Sequence, residues 1–196
     1  MDLDGGDLKR HLWRELQDQR DSLLGKIDGV SERELRLPRT PTGTSLLGIL
    51  KHSLNMEYGY FGPTFGRTGD LPGLVPFSAF DEDPQADWYA TAEESAASLV
   101  ALYRQVQEFA DETIDQLDLT ARGQVPWWTE GRRDITLGRL MVYVSLDLAR
   151  HAGQADILRE SIDGAVGWRR PDDNVPEGYD WPAYVAKLQA IAERFA

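Results

Sequence analysis

Cysteine is absent from the 196 residues. That one absence removes disulfide bonding, thiolate metal ligation and attack by a cysteine nucleophile. Sulfur chemistry on this chain therefore needs a thiol supplied from outside. Positive charge is scarce as well: 21 Lys and Arg stand against 33 Asp and Glu, a formal net charge of −12. Such a field repels phosphate backbones and speaks against a nucleic-acid partner. No apolar run approaches the length of a bilayer span, so no membrane partner is expected. The opening MDLDGGDLKR is acidic and polar, unlike a secretory or transit peptide, and a cytoplasmic protein is the expectation. Strand-like alternation is nearly missing. Histidine is rare too, at three residues, so the place of each one carries information.

What is present is helical periodicity. Leu12, Leu16, Leu23, Leu24 and Ile27 form a stripe over residues 7–30, closed by DGV and SERELRLP. A second helix is expected from a cap at Thr44 or Ser45 to Phe61, followed by a long irregular, Pro- and Gly-rich connection to about Pro84. The third spans residues 91–117. It opens on TAEE, where Glu94 can reach back to the Thr91 amide, and carries Leu99, Leu102, Val106, Phe109 and Ile114 toward the core. A loop follows, with a short extended piece expected over residues 125–128. The fourth helix runs from Asp134 or Thr136 to a stop at Gly164. A short C-terminal helix, with Pro182 in its first turn, covers residues 182–195. The expectation is an all-α four-helix bundle forming a single domain over residues 1–196.

One stretch, DLARHAGQADILRE, interrupts an otherwise leucine-rich face. At 100° per residue and with Asp147 at zero, Leu140 and Leu158 lie near about +20°, His151 near about +40° and Gln154 near about −20°. The stripe is apolar at both ends and polar in the middle. A buried polar group needs partners, and residues four apart on a helix converge on one point, as ligands of a shared ion do. On the second helix, His52 shares a line with Ser45, Gly48, Ile49, Asn55, Met56 and Gly59, with Lys51 placed outside it. Glycines beside a core-facing histidine suggest space left for something. His52, Asp147 and His151 together make two imidazoles and a carboxylate with positions left open. A structural reading stands beside this one: a core-facing histidine is commonly a hydrogen-bonding partner, and an Asp/His pair four apart can simply stabilise its helix. His11, beside Lys9 and Arg10, is assigned to the surface.

SLLGILKHSLNMEYGYF together with ITLGRLMVYVSLDLARHAGQADILRESIDGAVG resembles the DinB-like helical-bundle superfamily. The nearer likeness is to the branch containing mycothiol-dependent maleylpyruvate isomerase. It covers nearly the whole chain, from RDSLLGKIDGVSERELR to IDGAVG. The resemblance implies a divalent metal, zinc or nickel, held by His52 from the second helix and by Asp147 and His151 from the fourth. The close branch usually has glutamate where this chain has Asp147, and relatives often show histidine at the position of Gln154 and sometimes at that of Tyr143. It further implies metal-assisted thiol chemistry, in which the cation lowers the pKa of a bound thiol and presents the anion to an electrophile. The thiol would be of the mycothiol or bacillithiol type, and the reaction an S-transfer or isomerisation. Pairing into a homodimer, common in the superfamily, belongs to the same resemblance.

Around the proposed ligands, Gln154, Tyr143, Asn55, Met56 and Arg150 are expected to support or line the pocket. Trp127 and Trp128 of PWW, and FGPTFG at residues 61–66, flank the site in sequence; capping of the bundle end is the preferred role for the two tryptophans. Arg132, Arg133 and Arg150 could meet an acidic substrate, although solvation, or a salt bridge from Arg150 to Glu57, is favoured. Arg159 and Glu160 are read as structural. Two other functions remain open: a hydrolase in which metal-bound water attacks, and a non-catalytic bundle with a degenerate site.

Overall fold

The computed structural model of the chain describes residues 5–166, 176 and 178–195. Its helices are α1 (Gly5–Ile27), α2 (Glu32–Arg36), α3 (Leu46–Phe61), α4 (Ala79–Glu82), α5 (Ala96–Gln116), α6 (Leu137–Asp163) and α7 (Trp181–Ala192). A two-stranded antiparallel hairpin, β1 (Arg122–Gln124) and β2 (Asp134–Thr136), precedes α6. The chain divides into two units, one ending at residue 165 and one beginning at residue 166.

The first unit is the expected bundle. Helices α1, α3, α5 and α6 are its rods, with α1 packed along α6 and α3 along both α5 and α6. Their apolar stripes meet in one core that includes Leu16, Leu23, Leu50, Leu54, Val106, Leu140, Val144 and Leu148, each fully buried. The rods start where the sequence offers a cap. Ser45 Oγ accepts from the Gly48 amide at 3.1 Å at the head of α3, and Thr136 caps α6. Gly164, at φ 73°, ends α6 in the left-handed conformation that glycine adopts without a Cβ penalty. Buried Arg159 donates to the Lys26 and Asp28 carbonyls, so it satisfies the open end of α1.

Three boundaries differ from expectation. SERELRLP, expected to close the first helix, contains a helix of its own, α2, capped by Ser31. Glu94 does accept from the Thr91 amide, at 2.6 Å, yet α5 begins one turn later. There Ser95 and Ser98 form a reciprocal capping box that outcompetes a single carboxylate already shared with Lys51. The extended piece lies at residues 122–124 rather than 125–128. The Val125 amide still donates to the Arg133 carbonyl at 3.0 Å, but Pro126 has no N–H with which to continue the ladder.

In the second unit, α7 is capped by Asp180, whose carboxylate accepts from the Ala183 amide at 3.0 Å. Pro182 sits in its first turn, and a 3-10 turn follows over Glu193–Phe195. No helix among the described residues is long and apolar enough to cross a membrane.

Candidate metal centre

Two rods carry the site. His52 lies one and a half turns into α3, and Asp147 and His151 lie on successive turns near the middle of α6. The helices bring one donor atom of each to within 4.8 Å of the others. The imidazole centroids of His52 and His151 are 5.0 Å apart and nearly perpendicular. His151 Nε2 and Asp147 Oδ2 are separated by 3.5 Å. The Asp147 side chain is 31% exposed and that of His151 11%, so the group opens on its carboxylate side.

Each imidazole is held by its other nitrogen. His52 Nδ1 donates to Asp87 Oδ2 at 2.8 Å, and His151 Nδ1 donates to Gln154 Oε1 at 2.9 Å. These acceptors assign the proton to Nδ1 in both rings and leave both Nε2 lone pairs free. A carboxylate or carbonyl behind a ligating histidine is the usual support of a metal site, because it fixes ring orientation and raises basicity. The donor set, two imidazoles and one carboxylate, suits zinc or another borderline divalent ion. Ligands at about 2.0–2.1 Å from a tetrahedral cation lie roughly 3.3 Å apart, so side-chain adjustment of about 1.5 Å at most closes the group. The residues present fit the ion that the sequence resemblance implies.

Electrostatics within the group are coupled. When His151 is protonated on both nitrogens, its Nε2–H, facing Asp147, holds the Asp147 carboxyl below its usual range, against burial, which pushes it up. Burial pushes the His151 imidazolium down, but the Asp147 and Gln154 contacts and the Asp147 charge outweigh it, and the net direction is up.

Asp87 and Trp88, missed in the sequence, come from the connection between α3 and α5. The Trp88 ring stacks on His52 with centroids 3.9 Å apart and planes 15° from parallel. Gly48 makes this approach feasible: a Cβ there would stand 2.1 Å from the Trp88 carbonyl oxygen. Gly59 likewise leaves room for the Trp127 ring, 2.9 Å from where a Cβ would be. The space beside His52 is thus filled by protein groups and is not a ligand cavity. An aspartate followed by a tryptophan inside a Pro- and Gly-rich stretch was the available signal, but nothing local ties it to His52. Asp87→Asn is expected to weaken metal binding by about 10–100-fold while the helical content stays constant. Competition titration against a chromophoric chelator, with far-UV circular dichroism alongside, measures both.

The remaining candidates fall in several places. Asn55 bonds the backbone at both ends, donating to the Lys51 carbonyl and accepting from the Val75 amide, so it ties the connection to α3. Met56 packs half-buried against the core. Tyr143, one turn before Asp147 and 41% exposed, joins an aromatic wall with Tyr60, Trp127 and Trp128. Phe77 extends it. Within that wall, burial and the neighbouring Tyr143 push the Tyr60 hydroxyl well above the usual range. Exposed Arg150 lines a groove of about 540 Å³ with Thr40, Thr44, Gly153, Gln154 and Ile157. It does not pair with Glu57, which Arg20 and Tyr103 engage. Lys51, expected outside the core line, is buried at 2% exposure with its ammonium 2.9 Å from Glu94. FGPTFG faces the hairpin in a separate cleft with Arg122, Gly123 and Arg133. His11 is exposed and contacts the Asp7 carbonyl.

The model of the Mycothiol-S-transferase family matches residues 11–164, and the chain belongs to that family, a DinB-like branch. The chain matches no curated protein.

Proposed function

We propose that the protein is a metal-dependent S-transferase of the cytoplasm, acting on a low-molecular-weight thiol of the mycothiol or bacillithiol type and an electrophilic acceptor. The observation that carries this reading is the pairing of both Nδ1 atoms with acceptors behind the rings, which aims two free Nε2 atoms and the Asp147 carboxylate at one region. His52, Asp147 and His151 would hold a zinc or nickel ion. Bound there, the cation supplies charge that stabilises a thiolate at neutral pH. Asp87 and Gln154 keep the two rings from turning. Asp147, held ionised, offsets part of the added positive charge. Tyr143 and the aromatic wall beside it offer an apolar face for the electrophile. The absence of cysteine leaves the cosubstrate as the source of sulfur.

The test is turnover of a fluorogenic alkyl halide by full-length protein loaded with zinc or nickel, with and without mycothiol. Conjugate should form only when metal and thiol are both supplied. Metal-dependent turnover that proceeds equally well without thiol would move the assignment to a hydrolase.

The coupled pair also sets a pH dependence. Metal needs His151 neutral, and its raised pKa lets the proton compete to higher pH than at an ordinary imidazole. Affinity should therefore climb with pH through that raised range and level off above it. The metal-free protein should move the other way. Stability from His151 is complete below its unfolded pKa and is lost as pH rises through the higher folded value. Stability from Asp147, whose pKa is lowered, is present above its unfolded value and is lost as pH falls through the folded one. Thermal melts across pH, with and without zinc, should show the opposite trends near neutrality. Parallel trends there would contradict the coupling.

A further inference from the structure

Rods α3 and α6 run antiparallel past the metal group. Tyr60, near the end of α3, meets Tyr143 in the first half of α6. Thr44, just before α3, lines a groove of about 540 Å³ with Gln154 and Ile157 from the second half of α6. His52 and His151 lie between these two levels. The metal group therefore has two flanks, the aromatic wall on one side and this groove on the other. A volume of that size is ordinary for a small-molecule site. From Asp147 to Ile157 the helix rises about 15 Å, the reach of an amino acid joined to one or two rings.

The groove is lined by donors. Arg150 is exposed, and no hydrogen bond or ion pair holds its guanidinium among the described residues. Its charge bears on both Asp147 and His151. Gln154 spends its amide oxygen on His151, which leaves its –NH2 for the groove. Thr44 adds a hydroxyl. None of the described lining residues is acidic, in a chain whose net charge is −12. Donors without matching acceptors select a ligand rich in hydroxyl, carbonyl or carboxylate oxygens and disfavour an ammonium. Gly153 forms the floor. An interior glycine weakens a helix relative to alanine, and packing does not require this one, since a Cβ there meets nothing within 4 Å. The bare backbone keeps the groove open.

We propose that this groove seats the oxygen-rich body of the thiol, with Arg150 as its main anchor. The sulfur end then lies toward His52, Asp147 and His151, and the electrophile enters from the Tyr143 side. The proposal rests on the thiol-transfer reading above and adds to it a specificity-determining residue and a direction. The two reactants approach the same region from opposite ends of the seam between α3 and α6, so neither blocks the other.

S-methyl mycothiol and S-methyl bacillithiol probe the body apart from the sulfur, because neither can offer a thiolate. Calorimetric titration of zinc-loaded, full-length protein should show binding of at least one. Arg150→Gln should weaken that binding by about 10–100-fold, the weight of hydrogen bonds to a charged group, with zinc content undiminished. Arg139→Gln removes the same charge from another exposed position on α6 and should change nothing. Gly153→Leu should remain folded and lose binding, because its side chain fills the floor. In turnover, Arg150→Gln should raise KM for the thiol and keep kcat. Tighter binding of the bacillithiol conjugate supports a carboxylate on Arg150, and tighter binding of the mycothiol conjugate supports hydroxyl oxygens there. Absence of binding by the parent overturns the proposal, as does an equal loss in the two arginine variants or normal binding by Gly153→Leu. Conjugates that bind as expected to a parent without thiol-dependent turnover would remove the transferase reading and leave the groove as a binding site. Thiol-dependent turnover with a KM indifferent to Arg150→Gln would do the reverse.

Discussion

Glu57→Ala should destabilise the bundle by about 3–5 kcal/mol, the usual consequence of leaving a buried charge without its partner. Arg20, Glu57 and Tyr103 come from α1, α3 and α5, and all three are at 0% exposure. The Arg20 guanidinium bonds Glu57 and also reaches Asp111 at 2.7 Å, while the Tyr103 hydroxyl donates to the other Glu57 oxygen at 3.1 Å. Burial alone would lower the Arg20 pKa, but the two carboxylates overcome it and raise it. Burial, and then the Glu57 charge, push the Tyr103 hydroxyl well above its usual range. Removing Glu57 leaves the buried guanidinium with Asp111 alone and takes from the Tyr103 hydroxyl its acceptor at position 57. Replacing the set by apolar groups, Arg20→Met with Glu57→Leu and Tyr103→Phe, should recover most of the loss, because no buried ion then lacks a partner. Urea denaturation of the three proteins measures the difference. If Glu57→Ala costs less than about 1 kcal/mol, the network is wetter than its burial indicates.

The same network shows where reading the sequence stops. Helical phase identified the four rods and placed His52, Asp147 and His151 on inward lines, because a 100° step per residue is a local property. Ser45 and Gly164 were legible for the same reason: a cap acts within one turn. Arg20 occupies the gap between Leu16 and Leu23 in the α1 stripe, a core position filled by a charge. Its meaning depends on Glu57, 37 residues away on another rod, and no local signal supplies that distance. Lys51 was misplaced on similar grounds, since Glu94, from the far end of the connection, draws its ammonium inward. Asp87 and Trp88 belong to the same kind. The residues that support His52 arrive through a connection whose path is set by the open face of Gly48 and by the Asn55 tie to Val75. The residues that cluster were readable from the helices; the groups that orient one of them were readable only from the packed connection.

On the proposed reading, His151→Ala should abolish metal binding and thiol transfer while leaving a folded bundle. Its Nε2 is one of the two free imidazole nitrogens at the site, and without it His52 and Asp147 offer two donors from separate rods. That falls short of the three protein ligands typical of a catalytic zinc site, so affinity should fall by at least about a hundredfold, beyond what loss of a supporting contact produces. Stability should fall far less. Leu140, Val144 and Leu148 hold the inner face of α6 at full burial whatever occupies position 151, and the pair lost with the imidazole spans 3.5 Å with one partner half-buried. About 1–2 kcal/mol is the expected cost in the metal-free protein. Elemental analysis of protein purified without a metal-affinity column, together with a thermal melt, separates the two effects. Retention of a full equivalent of zinc by the variant would show that the ion sits elsewhere, and the Asp87–His52 and Gln154–His151 pairs would then be structural hydrogen bonds. Gln154→Leu sharpens the comparison. It keeps the donor atom and removes only the acceptor behind it, so it should weaken metal binding less than the alanine does, and by a margin that measures how much the orientation of the ring contributes.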